Sequence, residues 1–306
     1  MKKNILIYGA GNIAIRHVQS IIYEKSVGKI YIFDKKKISL KKMSNFFSND
    51  KNKNKLIFSD NQKELKNKNF FLAFLCTYAF NRIRLIKKIK ELCKIKYFIV
   101  EKILESNIYN FDNITFNTKN IFVNMPLRNM SPFRIISQNL NSKKVNATIK
   151  GKNWHMICNS LHYINYISYI TSSMVEKILI KKLDKPYKLV RKNFIDFQGN
   201  IKVFFENGST LNIVSLKNTK KHYFNLKEGK KIFNYNFKND QLKIGKNLFL
   251  CRREFVSKLS NKFYKNLVKN GKVKLPTFEE GLRENFLFIE EFVKKIKKKS
   301  YILKIT

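Results

Sequence analysis

The chain has 306 residues, of which 44% are hydrophobic and 14% aromatic, as in a globular protein with room for two cores. No run approaches the roughly eighteen uninterrupted apolar residues that a membrane span needs. The apolar stretch after the two N-terminal lysines is broken by glycines where a signal peptide would continue. We therefore predict a cytoplasmic protein without a membrane partner.

The formal net charge is +42, but only nine of the 63 basic residues are arginine, and the lysines are spread along the whole chain. A dedicated nucleic-acid-binding protein usually clusters its basic residues and favours arginine. Asn, Ile, Phe and Tyr are abundant together with Lys, a bias typical of an A/T-rich coding sequence. The charge therefore predicts attraction of small anions, and specific binding of nucleic acid is the weaker hypothesis.

The first third of the chain alternates strand-like and helix-like segments. Residues 4–8 form an apolar strand, a glycine turn follows, residues 13–23 have helical apolar spacing, and residues 29–33 form a second strand. This order is a βαβ unit with a right-handed crossover. The alternation continues with strands at 56–58, 70–76 and 96–100 and a helix at 81–93. We therefore predict an α/β first domain, residues 1–122, built on a doubly wound parallel sheet.

The turn after the first strand carries the pattern G-x-G-x-x-A over residues 9–14. Gly9 permits a tight turn, Gly11 lets backbone approach a pyrophosphate, and Ala14 allows the helix to pack closely on the strand. Asp34 ends the next strand about twenty residues later, where a carboxylate would bond the adenosine ribose. The alternative is an ordinary strand–turn–helix with Asp34 in solvent.

This segment predicts binding of NAD. The predicted cofactor-binding residues are Gly9, Gly11, Asn12, Ile13, Ala14, Asp34, Thr77 and Glu101. Asp34 would repel the 2′-phosphate of NADP, whereas the three lysines at 35–37 would offset that repulsion. NADP therefore stays the alternative cofactor.

After residue 122 the pattern changes to helices followed by successive strands. Helices are predicted at 131–140 and 155–172, and strands at 179–183, 200–205, 210–215 and 223–226, with a hairpin turn at 206–209. This order predicts an α+β domain, residues 123–276, on a mostly antiparallel open sheet. Residues 277–299 read as one long helix, opened by a capping box of Thr277 and Glu280. Its apolar stripe predicts that a C-terminal segment, 277–306, packs back on the first domain.

Two polar residues are candidates for proton chemistry. Lys102 follows a strand at the C-terminal edge of the parallel sheet, where ligands collect, although a solvated lysine is the alternative in so lysine-rich a chain. His162 lies on the predicted helix 155–172, and its alternative is a packed structural histidine. A metal site of His155, Cys158 and His162 would lack a carboxylate, so we predict no bound metal.

The order of these features resembles the Gfo/Idh/MocA oxidoreductases. The resemblance covers nearly the whole chain and is carried by the glycine turn with Arg16-His17, by Glu101-Lys102, by Arg128 with Pro132, by residues 154–165 and by Leu275-Pro-Thr277. It implies a Rossmann domain followed by an α/β domain whose open sheet often mediates oligomers. A homo-oligomer formed through that sheet is therefore expected.

The resemblance also implies the site residues. Lys102 would be the lysine of the family's Glu-Lys-Pro motif and His162 its helix histidine, and both are expected to be catalytic and to meet at a cleft between the domains. The residues expected to bind the substrate are Arg128, Trp154, Asn159 and Asn165. The sequence departs from the family where Tyr78 and Ile103 replace prolines, and where Cys158 and Asn165 replace frequent carboxylates.

These features predict an NAD(P)-dependent oxidoreductase that moves a hydride between the nicotinamide and a carbinol or ketone carbon of a sugar. The positive charge favours an acidic sugar or a nucleotide sugar. The segment around Cys158 and His162 resembles members that act in surface-sugar biosynthesis. Because the frequent carboxylates are missing, a second hypothesis stays open, a catalytically inactive protein that binds the dinucleotide as a sensor or scaffold.

Overall fold

A computed structural model of the chain describes residues 2–189, 194–252 and 254–296. Its first sheet consists of the strands β1 (Lys3–Tyr8), β2 (Val27–Phe33), β3 (Leu56–Ser59), β4 (Asn69–Leu75), β5 (Lys94–Glu101) and β6 (Ile121–Asn124). All six are parallel and lie in the order β3-β2-β1-β4-β5-β6. The strand order reverses between β1 and β4, which is the switch point where ligands bind in doubly wound sheets.

The strands of this sheet form because their apolar runs are continuous rather than alternating. The last four residues of β1 and of β4 are all buried, as expected for parallel strands that are covered on both faces. Three helices connect them: α1 (Asn12–Ile21), α2 (Lys37–Phe46) and α3 (Arg82–Leu92). This arrangement confirms the doubly wound parallel sheet.

The second half of the chain contains two helices and ten strands among its described residues up to 252. They are α4 (Ser131–Gln138), β7 (Asn146–Lys152), α5 (Met156–Thr171), β8 (Val175–Leu183), β9 (Tyr187–Lys188), β10 (Ile195–Asp196), β11 (Gly199–Phe205), β12 (Thr210–Leu216), β13 (Tyr223–Glu228), β14 (Lys231–Asn236), β15 (Gln241–Ile244) and β16 (Asn247–Leu250). Strands β9 and β10 form a short ladder of their own. The other eight form one sheet in the order β16-β15-β14-β13-β7-β12-β11-β8.

In this eight-stranded sheet only β7 and β12 run parallel, and every other neighbouring pair is antiparallel. Buried and half-buried residues alternate strictly along β11 and β12, so one face of the sheet is packed and the other is partly open. The mostly antiparallel second sheet is therefore confirmed.

Two further helices follow within the described residues, α6 (Val256–Asn270) and α7 (Phe278–Ile296). The predicted helix 277–299 corresponds to α7, and residues 297–299 lie outside the described residues. The sequence did not predict α2 or α6, whose apolar residues are diluted by many lysines and asparagines. No helix in the described ranges is long and apolar enough to cross a membrane.

The chain forms two compact units that are discontinuous in sequence. Among the described residues, the first comprises 2–104, 112–124 and 254–279, and the second comprises 105–111, 125–252 with its gap, and 280–296. The sequence had instead been divided into three consecutive segments. Within the first unit α6 packs against α1, and within the second Phe286 and Phe292 of α7 contact Phe111 and Phe197. Docking of α7 on the first domain and its capping box stay predictions.

Candidate functional site

The glycine turn after β1 requires its first glycine for the fold itself. Gly9 has φ +99°, a conformation that side chains disfavour, and a Cβ there would lie 2.9 Å from the carbonyl oxygen of Cys76. Its amide donates to the carbonyl of Phe33 at 2.7 Å. Gly9 therefore holds β1, β2 and the end of β4 together.

Gly11 differs, because a Cβ at this position would meet nothing within 4 Å. It precedes the first turn of α1 and has ordinary extended backbone with φ −79°. No side chain among the described residues caps α1, and its first turn carries no acidic residue. An uncapped helix N-terminus with open space before it suits a phosphate group.

The three remaining residues of the turn lie in the first turn of α1. Asn12 is exposed, Ile13 is half-buried and Ala14 is fully buried against the sheet. This gradient agrees with the motif's requirement for a small residue where the helix approaches the strand.

Asp34, directly after β2, is tied to the glycine turn. Its Oδ2 accepts a hydrogen bond from the amide of Ala10 at 2.8 Å, and its Oδ1 accepts one from the amide of Lys36 at 2.9 Å. The side chain is half-buried, so it keeps one side toward solvent. Asp34 therefore has a structural role that the sequence did not reveal, in addition to its predicted role at a ribose.

Thr77 and Lys102 lie at the same sheet edge as the glycine turn. Thr77 follows the end of β4, Lys102 follows the end of β5, and both are half-buried. The peptide bond between Lys102 and Ile103 is cis. Because β1, β4 and β5 are adjacent and parallel, this unit brings Gly9, Thr77 and Lys102 to its C-terminal edge, where ligands of such sheets bind.

Glu101 lies in a buried polar network instead of open solvent. Its Oε1 accepts hydrogen bonds from Asn124 Nδ2 at 2.6 Å and from His17 Nε2 at 3.1 Å. Because an ionised carboxylate only accepts, Nε2 of His17 donates to it, and Nδ1 of the same ring lies 2.8 Å from Ser260 Oγ. Burial alone would raise the pKa of Glu101, but the bonds from His17 and Asn124 and the charge of Lys102 outweigh it and lower that pKa.

Arg82 is a positioning residue that the sequence did not single out. It lies at the start of α3 and is only 2% exposed. Its guanidinium donates to the carbonyls of Thr77, Glu101 and Ile103. Arg82 thus fixes the backbone on both sides of Lys102 together with the segment after β4. A signal for it existed, since an arginine in the first turn of a helix opposes the helix dipole and needs a specific partner.

In the second unit, two of the predicted substrate-binding residues bond to other parts of the unit. The indole of Trp154 is 7% exposed, and its Nε1 donates to the carbonyl of Val214 at 3.0 Å. The amide of Asn159 donates to the carbonyl of Trp154 at 2.8 Å. These contacts fix the chain as it enters α5, and a direct role of either residue toward a substrate stays a prediction.

A carboxylate that the sequence analysis did not identify, that of Asp196, lies next to the start of α5. Asp196 of β10 accepts from the amide of Ile157 at 3.0 Å, and its Oδ2 lies 3.8 Å from His155 Nδ1. Burial raises the pKa of Asp196, which the two backbone bonds and the histidine partly oppose. No cluster of three or more His, Cys, Asp or Glu side chains suited to a metal occurs within the described residues.

Helix α5 presents one polar stripe. Cys158, His162 and Tyr169 are half-buried, whereas most of the other residues of the helix are fully buried. Asn165 lies on the same stripe, three residues after His162 and four before Tyr169. The stripe is where the side chains of α5 would meet a ligand.

Arg128 joins this stripe from the loop after β6. Its Nη2 donates to Asn165 Oδ1 at 2.7 Å, and its guanidinium lies 4.4 Å from the ring centre of Tyr169. Asn165 Nδ2 in turn donates to both carboxyl oxygens of Glu284, at 3.2 and 3.1 Å. Glu280 approaches Arg128 Nη2 at 3.7 Å. The structure therefore connects two of the predicted substrate-binding residues, Arg128 and Asn165, with two carboxyl groups of α7. The sequence had suggested only a helix-capping role for Glu280 and no role for Glu284.

Burial dominates the electrostatics of this cluster. Glu284 is 5% exposed, and burial raises its pKa to about 8, an effect that Asn165 and Arg128 only partly oppose. Glu284 is therefore largely protonated at neutral pH. The carboxylate of Glu280 is 54% exposed and keeps its contact with water.

No protein-family model matches this chain, and no curated protein matches it in sequence. Solved structures do resemble it. UDP-N-acetylglucosamine 3-dehydrogenase GnnA from Acidithiobacillus ferrooxidans matches with TM-score 0.73 at 8% identity, over 96% of this chain and 97% of that chain. Myo-inositol dehydrogenase from Lactobacillus casei, in complex with NAD(H) and myo-inositol, matches with TM-score 0.73 at 11% identity, over 100% and 98%.

A third similar structure is biliverdin reductase from Synechocystis in complex with biliverdin and NADP+, with TM-score 0.70 at 10% identity, over 95% of this chain and 98% of that chain. At such identities a likeness over the full length establishes architecture, because chemistry resides in particular side chains. The chain therefore has the fold of these dehydrogenases and reductases, a Rossmann unit combined with a unit built on an open, mostly antiparallel sheet.

Proposed function

We propose that this protein is an NAD(P)-dependent oxidoreductase that acts on a sugar or a sugar derivative. The observation that carries the proposal is the open space before Gly11 at the uncapped N-terminus of α1. Because Gly11 has ordinary extended backbone and a Cβ there would meet nothing, the fold itself does not require this glycine, which suits a ligand that approaches the backbone. Two of the three similar structures described above contain NAD(H) or NADP+.

The residues of the first unit fit a dinucleotide. The amides at 11–14 would bind the pyrophosphate, and the solvent side of Asp34 would bind the adenosine ribose, with NAD favoured over NADP. Thr77 and Glu101 complete the proposed cofactor-binding set. When bound, the nicotinamide supplies hydride transfer.

The proton chemistry is assigned to Lys102 and His162. Lys102 would donate a hydrogen bond to the substrate oxygen and polarise it. His162 would take the hydroxyl proton on oxidation and return it on reduction, because a histidine titrates near neutral pH. The fixed backbone around Lys102, held by Arg82, supports a precise position for that lysine.

The substrate class follows from the second unit and from the charge of the chain. Arg128 and Asn165, with Trp154 and Asn159, are the proposed substrate contacts. Two of the similar proteins are named as dehydrogenases of an N-acetylated nucleotide sugar and of an inositol. An acidic sugar or a nucleotide sugar, in surface-polysaccharide biosynthesis, fits a chain of net charge +42.

The decisive experiment combines binding with turnover. NADH and NADPH are titrated by fluorescence, and the protein is then assayed for absorbance change with NAD or NADP against inositols, uronic acids and UDP-sugars. Binding with turnover on at least one of these supports the proposal. Binding without turnover on a broad panel would favour the sensor or scaffold, and absence of dinucleotide binding would refute both.

Two further parts of the proposal concern assembly and location. The exposed face of the second sheet carries Thr148, Lys150, Asn225 and Lys227, so a homo-oligomer through this face would need anions or offset packing to separate the lysines. Light scattering across a salt series measures that. A cytoplasmic location stays a prediction, tested by fractionation of the producing cells.

A further inference from the structure

The Arg128 cluster consists of Arg128, Asn165, Tyr169, Glu280 and Glu284. One N–H donor of this cluster has no hydrogen-bond acceptor within the described residues. Arg128 is 7% exposed, and its Nε has no hydrogen-bond partner among residues 2–189, 194–252 and 254–296. A guanidinium carries five N–H donors in a fork that matches a carboxylate or a phosphate. Buried donors in proteins are normally satisfied, so an unused one in a polar cluster indicates a place for a ligand.

The carboxylate now nearest to this guanidinium is loosely held. Glu280 lies 3.7 Å from Arg128 Nη2, and its side chain is 54% exposed. Although Arg128 is buried, a contact of this length to a carboxylate that faces water holds that carboxylate weakly, so a better acidic group can replace it. Glu284, by contrast, is buried and reaches Arg128 only through the amide of Asn165.

We propose that Arg128 binds an acidic group of the substrate, a carboxylate or a phosphate, and that Glu280 occupies this position until the substrate displaces it. This proposal rests on the proposed oxidoreductase function for the identity of the rest of the ligand, which is a sugar. The anion site at Arg128 can be tested without that function. Asn165 and the ring of Tyr169 hold the guanidinium in place. Glu280 is thus a stand-in for the ligand, and Arg128 sets the preference for acidic over neutral sugars.

The position of the cluster along α5 suits a single sugar unit. Asn165 is three residues and Tyr169 seven residues from His162, which corresponds to about 4.5 and 10.5 Å along a helix. A substrate with its reacting oxygen at His162 and its acidic group at Arg128 therefore spans about one sugar ring and its substituent.

Glu284 keeps the charge of the cluster favourable. Burial raises its pKa to about 8, so at neutral pH Glu284 is largely protonated and adds little negative charge next to Arg128. The charged and titratable groups that face Glu284 are Arg128 and Glu280, with Tyr169 on the other side of the guanidinium. Ionisation of Glu284 above this pH places a second negative charge behind Asn165, so affinity for an acidic ligand should fall.

The test uses D-glucuronate and D-glucose 1-phosphate as acidic probes and D-glucose as the neutral match, with calorimetry on the full chain at roughly 0.15 M salt. At least one of the two acidic sugars should bind more tightly than glucose. The acid with the higher affinity shows whether the site prefers a carboxylate or a phosphate. Glu280→Gln should strengthen acid binding by about two- to fivefold, whereas Glu290→Gln, on the same helix and paired with Lys294, should not. Glu284→Gln should abolish the loss of affinity above pH 8.

Arg128→Gln should weaken acid binding by at least about tenfold, while Arg134→Gln, which removes the same charge from α4, should not. Thermal unfolding shows whether the Arg128→Gln variant folds, because Arg128 is buried. If that variant does not fold, the effect of Glu280→Gln on acid binding tests the proposal, because Glu280 is exposed. Equal binding of glucose and both acids, or unchanged acid binding in Glu280→Gln, would overturn the proposal. Acid binding is measured without cofactor, so failure of the anion site is read from calorimetry alone. Failure of the oxidoreductase proposal is read from a separate NADH titration.

Discussion

The two candidate sites are built from differently distributed parts of the sequence. In the first unit, the glycine turn, Thr77 and Lys102 each follow the end of a strand, and adjacent parallel strands bring these ends together. In the second unit, Arg128, Asn165, Glu280 and Glu284 come from a loop, a helix and a distant helix. A site of the first kind can be recognised in the sequence as a motif. The connections within a site of the second kind are found only in the hydrogen bonds of the folded structure.

The comparison of the two units also separates residues that the fold requires from residues that it does not require. Gly9 and Arg82 serve the fold of the first unit, because one avoids a clash and the other bonds three carbonyls. Gly11 has no such duty. In the second unit, Glu284 serves the packed interior whereas Glu280 faces water. In both units, a polar or special residue without a structural duty is the better marker of a ligand.

The largest expected effect tests whether both units serve one reaction. Lys102→Ala and His162→Ala should each lower kcat by about 10²–10⁴-fold, because each removes a group that handles the proton. NADH affinity should stay within about threefold of the unsubstituted protein. Lys94→Ala, at the other end of β5, and His155→Ala, before α5, are the matched controls. Full activity of either test variant would refute the catalytic role of the substituted residue.

The next effect separates Gly11 from Gly9. Gly11→Val should lower NADH affinity by at least about 10²-fold through a clash with the pyrophosphate. Its thermal unfolding should match that of the unsubstituted protein, because a Cβ at this position meets nothing within 4 Å. Gly9→Val should instead destabilise the fold, since its Cβ would contact the Cys76 carbonyl. Unchanged NADH affinity in Gly11→Val would refute the cofactor site.

A third prediction concerns the buried acid of the second unit. Glu284 ionises near 4.5 when unfolded, and its folded pKa is raised to about 8. Between these values the folded protein holds the extra proton, so its free energy of unfolding falls as pH rises from about 5 to about 8, by up to about 1.4 kcal/mol per pH unit from this group. Glu284→Gln should remove that contribution.

Urea unfolding at each pH measures the difference between the two proteins, and Glu290→Gln is the control. A difference that stays constant from pH 5 to pH 8 would show that Glu284 is not held protonated in the folded chain.

The smallest effect concerns cofactor choice. Asp34→Asn keeps an oxygen for the Ala10 amide but loses the negative charge, so NADH affinity should fall by about tenfold and NADPH affinity should fall less. Fluorescence titration with both cofactors measures the ratio. If the unsubstituted protein bound NADPH at least about tenfold more tightly than NADH, the lysines at 35–37 would outweigh Asp34.

The sequence by itself determined the doubly wound parallel sheet and the position of the glycine turn, whereas the strand order came from the structure. These follow from local signals, because continuous apolar runs, a glycine with positive φ and a strand-end carboxylate are all encoded within a few residues. The antiparallel second sheet followed from alternating strands and the turn at 206–209. Helices α2 and α6 escaped prediction because lysine and asparagine weaken their periodicity.

Only the tertiary structure decided which polar groups serve the fold. Glu101 is bonded by His17 from 84 positions away, and Asn165 is bonded to Glu284 from 119 positions away. The same contacts give Asp34 and Trp154 structural partners and leave the Nε of Arg128 without one among the described residues. Sequence patterns report local backbone preference and burial, whereas the partner of a buried polar group depends on which distant segments pack beside it.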